Sequence, residues 1–145
     1  MRLGAVDQCW LKVVSYCVEV GQLSPRIVIV DDDPSFLATA RLLLEVEGFV
    51  VVGEALNGVD GVAAVAELEP DIVLVDVNLP DIDGFEVIAR LANGERSPPV
   101  VLTSIRSAAD FGDLIETSGA HAFISKAEIS GEALADLLDG RSASA

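Results

Sequence analysis

The chain has 145 residues, 51% of them hydrophobic and few aromatic, which is enough for one domain with an aliphatic core. Its formal charge of −15 disfavours binding to nucleic acid or anionic membranes, which are held through Lys and Arg. No apolar run reaches the roughly 18 residues that a membrane span needs.

Residues 1–25 differ from the rest. Val6, Trp10, Val13, Cys17 and Val20 fall at helical spacing, and Gly21-Gln22-Leu23-Ser24-Pro25 reads as a linker. An extension outside the domain is expected here, either disordered or a short amphipathic helix. Asp7, Lys12 and Glu19 interrupt its hydrophobic stretch and no small-residue cleavage site follows, unlike a secretory signal. Cys9 and Cys17 are the only cysteines, and both precede the patterned region. A cytoplasmic location is expected.

From Arg26 the pattern is regular. Ile27–Val30 is an apolar strand. Pro34 suits the first turn of a helix, with Phe36, Leu37, Ala40, Leu43 and Leu44 on one face up to Gly48. Phe49–Val52 is the second strand, Gly61–Leu68 a small-residue helix closed by Pro70, and Ile72–Val75 the third strand. Phe85–Leu91 is a helix ending near Gly94, and Val100–Leu102 the fourth strand. Asp110–Thr117 is a weak helix, because Gly112 costs about 1 kcal/mol of helix propensity. His121–Ser125 is the fifth strand, Glu132–Leu138 the last helix, and 141–145 a tail. Strands without alternation, separated by helices, predict a parallel sheet covered on both faces. Five such units match an α/β, flavodoxin-like doubly wound sheet of order 2-1-3-4-5 over residues 26–140.

Four of the strands deliver polar residues at their carboxyl ends, where an open parallel sheet has its ligand crevice. The first ends in Asp31-Asp32-Asp33, the third in Asp76, the fourth in Thr103-Ser104 and the fifth at Lys126. Adjacent carboxylates repel, and a hard, oxygen-seeking cation such as Mg²⁺ is the usual compensation. Asp31 and Asp32 therefore read as metal-binding with Asp76, whereas Asp33, beside Pro34, reads as a helix cap. Asp76 reads as functional, because Asp81 and Asp83 already serve the turn with Pro80 and Gly84. Thr103 and Ser104 taken alone would pass as turn residues. Lys126 changes the weighing, since Lys12 and Lys126 are the only lysines. An ammonium at that rim is a point-charge clamp for a carboxylate or phosphoryl group. His121, the sole histidine, is expected to be an edge residue, and Gly58 and Gly61 form no phosphate loop.

Ile27-Val28-Ile29-Val30-Asp31-Asp32-Asp33, Leu74-Val75-Asp76-Val77-Asn78-Leu79-Pro80-Asp81-Ile82-Asp83-Gly84, Leu102-Thr103-Ser104 and Phe123-Ile124-Ser125-Lys126 together resemble the receiver domain of two-component response regulators. Four motifs in this order are specific, although each alone is weak. The resemblance implies that Asp76 is the phosphoacceptor and that Asp32 and Asp76 bind Mg²⁺ with the backbone carbonyl of Asn78. Asp31 would act mainly through water. Thr103 would be the switch hydroxyl, Lys126 the phosphoryl clamp and Phe123 the switch aromatic. A sensor histidine kinase or phosphotransfer protein would be the donor.

Two departures count. The family usually has Pro after the lysine, often in a cis bond, where this chain has Ala127. A cis bond without Pro costs about 2.5–4 kcal/mol, so a trans loop is expected. Phe123 lacks the hydroxyl that a Tyr would bring. Val52-Gly53-Glu54-Ala55 and Ser125-Lys126-Ala127-Glu128 resemble receivers fused to helix-turn-helix domains. No such domain is expected in the residues after 140, so output is expected through a downstream protein or a phosphorylation-dependent homodimer, without direct DNA binding. Beyond self-phosphorylation and self-dephosphorylation no enzymatic activity is expected. Two rivals remain: a phosphorylation-independent interaction module on the same fold, and a haloacid-dehalogenase-type phosphotransferase with Asp31 as nucleophile and Asp33 as acid/base. The latter would need a cap and further acidic ligands late in the chain.

Overall fold

The computed structural model describes residues 25–94, 97–130, 132 and 133. The aliphatic runs become five parallel strands: β1 (Arg26–Val30), β2 (Val50–Ala55), β3 (Ile72–Asp76), β4 (Val100–Ser104) and β5 (Ala122–Ser125). They lie side by side in the order β2-β1-β3-β4-β5. The helices are α1 (Pro34–Val46), α2 (Gly58–Leu68), α3 (Gly84–Ala92) and α4 (Leu114–Thr117), with 3-10 turns at Ala108–Phe111 and Lys126–Glu128. This is the flavodoxin-like doubly wound sheet that the pattern predicts.

The lack of alternation has a direct cause: both faces of the central strands are buried. Ile27, Ile29, Ile72 and Leu74 pack with Leu37, Ala40 and Leu44 of α1. Their neighbours Val28, Val30, Val73 and Val75 pack on the other side with Val65 of α2 and Val87, Ile88 and Leu91 of α3. Leu74 is fully buried, so truncating it to Ala would cost about 2–5 kcal/mol.

Side-chain caps start the three longer helices. Asp33 caps α1 by accepting from the Ser35 N–H at 3.0 Å, with Pro34 at the first helical position, as its sequence context predicts. Asn57 caps α2 and Asp83 caps α3.

Most boundaries fall within a residue or two of the sequence reading, and three elements differ by more. β2 runs on to Ala55 instead of stopping at Val52, because Glu54 on this edge strand faces solvent and pairs with Arg41 at 2.8 Å. A register shift opposite Ile27/Val28 accommodates it. α2 starts at Gly58, one residue after its Asn57 cap. The expected helix 110–117 is broken: Gly112 has φ +58°, so the chain forms a 3-10 turn, reverses, and makes one short helical turn. The expected pattern of Val6, Trp10, Val13, Cys17 and Val20 lies outside the described residues, as does most of the expected helix 132–138.

Candidate functional site

Parallel strands put their carboxyl ends on one rim, and the register aligns them: Asp76 of β3 is the neighbour of Thr103 in β4. Asp31 leaves β1 and Lys126 leaves β5 at the same edge. Carboxylate oxygens of Asp31, Asp32 and Asp76 lie within 4.8 Å of one another. Lys126 Nζ stands 2.7 Å from Asp31 Oδ2 and 3.4 Å from Asp76 Oδ2. The Asp31 contact is an ion pair without hydrogen-bond alignment.

The three carboxylates are held differently. Asp31 is fully buried, and its Oδ1 accepts from the Asp33 N–H at 2.8 Å. Asp76 is also buried, and its Oδ1 accepts from the Asn78 N–H at 3.2 Å. Asp32 is exposed and makes no hydrogen bond or ion pair among the described residues. One free carboxylate and two anchored ones, all oxygen donors, form an acidic group that suits a hard divalent cation.

The electrostatics fit that reading. Burial, then the charge of Asp31, pushes the Asp76 carboxyl up to about 6, with Lys126 and the Asn78 N–H only partly offsetting them. For Lys126, burial opposes the charged form, but the Asp31 and Asp76 carboxylates outweigh it and hold the ammonium above the usual lysine range.

Thr103 and Ser104 separate in the structure. Both are buried. The Ser104 hydroxyl accepts from the Arg106 N–H at 3.1 Å, which is turn chemistry. Thr103 Oγ1 is buried with no hydrogen-bond partner among the described residues. A buried hydroxyl without a partner is costly, and this one sits in the strand beside Asp76. Phe123 is half-buried, its ring 5.8 Å from that of Phe111, which in turn lies 6.1 Å from Phe85. The Lys126–Ala127 bond is trans.

Two residues contribute what the sequence did not reveal. Asp81 accepts from the N–H groups of Gly58 at 2.8 Å and Val59 at 2.9 Å, so it ties the loop after Asp76 to the start of α2. These backbone donors hold its carboxyl down at about 2. Gly84 approaches the Asp76 carbonyl so closely that a Cβ would stand 2.8 Å from it. His121 sits at the opposite end of the sheet, donating its backbone N–H to the Val100 carbonyl. A cleft of about 260 Å³ between α2 and α3, lined by Val62, Val65, Leu91 and Pro98 among others, contributes nothing to the acidic group.

Residues 27–138 match the family model of the response regulator receiver domain. The chain belongs to that family. The virulence-factor transcription regulator BvgA of Bordetella pertussis is 37% identical to this receiver over 103 residues, covering 71% of this chain and 49% of the relative. The DNA-binding transcriptional regulator RpaA of Synechocystis is 35% identical over 104 residues, covering 70% and 43%. This receiver thus spans about half the length of the curated relatives it matches. Among solved structures, the signal receiver domain of the response regulator NarL from Mycobacterium tuberculosis superposes with a TM-score of 0.73 at 28% identity, covering 81% of this chain and 98% of that one. No helix among the described residues is long and apolar enough to cross a membrane.

Proposed function

We propose that this receiver takes a phosphoryl group onto Asp76 from a histidine kinase or phosphotransfer protein and switches a protein-interaction surface. The observation that carries the reading is the convergence on one rim of three carboxylates, the Lys126 ammonium and the partnerless Thr103 hydroxyl. A carboxylate oxygen of Asp76 attacks phosphorus. The P–N bond breaks, its electron pair stays on the imidazole, and the histidine, protonated on its other ring nitrogen, leaves neutral. Lys126 offsets the charge on the phosphoryl oxygens. Thr103 then has an acceptor for its hydroxyl, and its inward movement vacates space for Phe123. This is a local charge change biasing a two-state element.

Asp32, Asp76 and the Asn78 backbone carbonyl would hold Mg²⁺, with Asp31 acting mainly through water, since both of its oxygens already face partners. When bound, Mg²⁺ offsets negative charge at the transferring phosphoryl group. Output would run through a downstream protein or a phosphorylation-dependent homodimer. Arg26, Arg41, Arg90, Arg96, Arg106 and Lys126 are the only cations of residues 26–140, and Arg41 and Arg90 are committed to glutamates. Too few are left for duplex DNA.

Incubation with acetyl phosphate and Mg²⁺, followed by intact mass measurement, tests the reading. One added phosphoryl group is expected, absent in Asp76→Asn. An unchanged mass would favour the phosphorylation-independent module, and steady turnover without an adduct would favour a phosphotransferase.

A further inference from the structure

Lys126 meets a third group besides its two carboxylates. Its Nζ stands 4.4 Å from the centre of the Phe36 ring. Phe36 lies in the first turn of α1, half-buried, and packs against the core that contains Ile27, Leu37 and Leu74. Asp31 and Asp76 occupy two sides of the ammonium, and the ring covers another. An aromatic face carries the negative part of the ring quadrupole and attracts a cation within about 6 Å. An aliphatic side chain of similar bulk would fill the same space without that attraction.

We propose that Phe36 is a positioning residue for Lys126, its ring face keeping the ammonium at the rim when Asp76 changes charge state. The inference rests on the reading of Asp76 as phosphoacceptor. Once Asp76 is phosphorylated, Lys126 exchanges its Asp76 carboxylate contact for a phosphoryl oxygen, and the ammonium must stay in place through that exchange. A lysine ammonium is strongly hydrated on a flexible stem and tends to swing toward water. The Phe36 ring is a partner whose strength does not depend on phosphorylation, so it restrains the ammonium throughout the reaction. Loss of the ring is expected to slow phosphorylation of Asp76 roughly three- to tenfold, within the range of a partly desolvated cation–π contact.

Two measurements test this. Lys12 and Lys126 are the only lysines, so ¹³C-lysine labelling gives two side-chain spin systems. The ε-methylene protons of Lys126 should be displaced upfield by the ring in the wild type and in Phe36→Tyr, and lose that displacement in Phe36→Leu. Rates of phosphorylation by acetyl phosphate should follow the same order. Fluorinated phenylalanines placed at position 36 keep the ring's shape while weakening its negative face, so the rate should fall stepwise with fluorination at an unchanged melting temperature. Identical Lys126 signals in wild type and Phe36→Leu would overturn the contact. Rates indifferent to fluorination, or equal in the Leu and Tyr variants, would overturn the role. A wild type that is not phosphorylated at all would instead overturn the phosphoacceptor reading, while the lysine signals would still decide the contact.

Discussion

Asp76→Asn in metal-free buffer probes the rim's electrostatics in isolation. The Asp76 carboxyl is held at about 6 against an ordinary 3.8, first by burial and then by Asp31. Above the folded value, the native protein carries a charge in a place that disfavours it, while the unfolded chain carries the same charge in water. At about 1.36 kcal/mol per pH unit, that difference weakens the fold by about 3 kcal/mol near pH 8. Asn keeps the shape and removes the charge. The variant is therefore expected to be more stable than the wild type by about 1–3 kcal/mol near pH 8, the lower end allowing for relaxation around the carboxylate. As pH falls through about 6, folded wild type takes up the proton before the unfolded chain does, and its relative stability rises. The gap should be small by about pH 4 and closed by about pH 3, where both states are protonated. Urea unfolding in EDTA across that range measures it, with unchanged m-values as the check that only stability moved. A variant that is less stable than wild type near neutral pH, or a gap of constant size from acid to alkaline pH, would refute the account.

The remaining expectations concern the metal, the hydroxyl and the clamp. Mg²⁺ at roughly 100-fold its dissociation constant should stabilise the wild type by about 2.7 kcal/mol; thermal melts in EDTA and in Mg²⁺ should show the shift lost in Asp32→Ala and largely kept in Asp33→Ala, whose side chain is occupied as a cap. Thr103→Val removes the buried, partnerless hydroxyl. It should raise the stability of the unphosphorylated protein by about 1 kcal/mol in urea unfolding and abolish the conformational response to phosphorylation. Lys126→Ala should still accept some phosphoryl group on Asp76 in the intact-mass assay. Amide exchange in residues 104–130 should then respond to beryllofluoride in the wild type and not in this variant.

What the sequence showed and what it hid follow from the range of the interactions involved. The strands were legible because Ile27–Val30 and Ile72–Val75 are buried on both faces, which leaves an uninterrupted apolar run. The rim was legible because parallel strands share a direction, so Asp31, Asp76, Thr103 and Lys126 had to arrive at one edge. Pairings between distant segments were not legible. Asp81 looked like a turn residue but accepts from the first backbone N–H groups of α2, Gly58 being 23 positions away. Asp31 and Asp32 are adjacent, yet one is buried against Lys126 and the other faces solvent; only the direction in which the chain leaves β1 decides which. In sequence Thr103 and Ser104 are indistinguishable; in the structure Ser104 accepts from the Arg106 N–H and the Thr103 hydroxyl has no hydrogen-bond partner among the described residues. Phe36 read as one more core residue on the helical face of α1, and its contact with Lys126 depends on where β5 ends.

The broken helix at 108–117 links this site to the surface in physical terms. Its two pieces bury no residue fully, and Leu114 and the preceding Ile105 are exposed. A segment with so little buried apolar surface opens or shifts at low cost. The strands beside it are different: Leu102 and Phe123 are paired in the sheet, as are Thr103 and Ile124, and Leu102 and Thr103 are fully buried. The soft segment is joined to that rigid frame through Phe111, whose ring bridges Phe85 of α3 and Phe123 of β5. A rotation of Phe123 toward Thr103 would remove one of the two rings that hold Phe111. Edge and tilted ring pairs contribute about 0.5–1.5 kcal/mol beyond their buried area. A change of that size is small against the core around β3, but it is enough to alter the population of a weakly packed turn severalfold. On the proposed reading, phosphorylation needs no large motion at Asp76. It needs only to move one aromatic ring away from a segment that Gly112 has already uncoupled from regular helix.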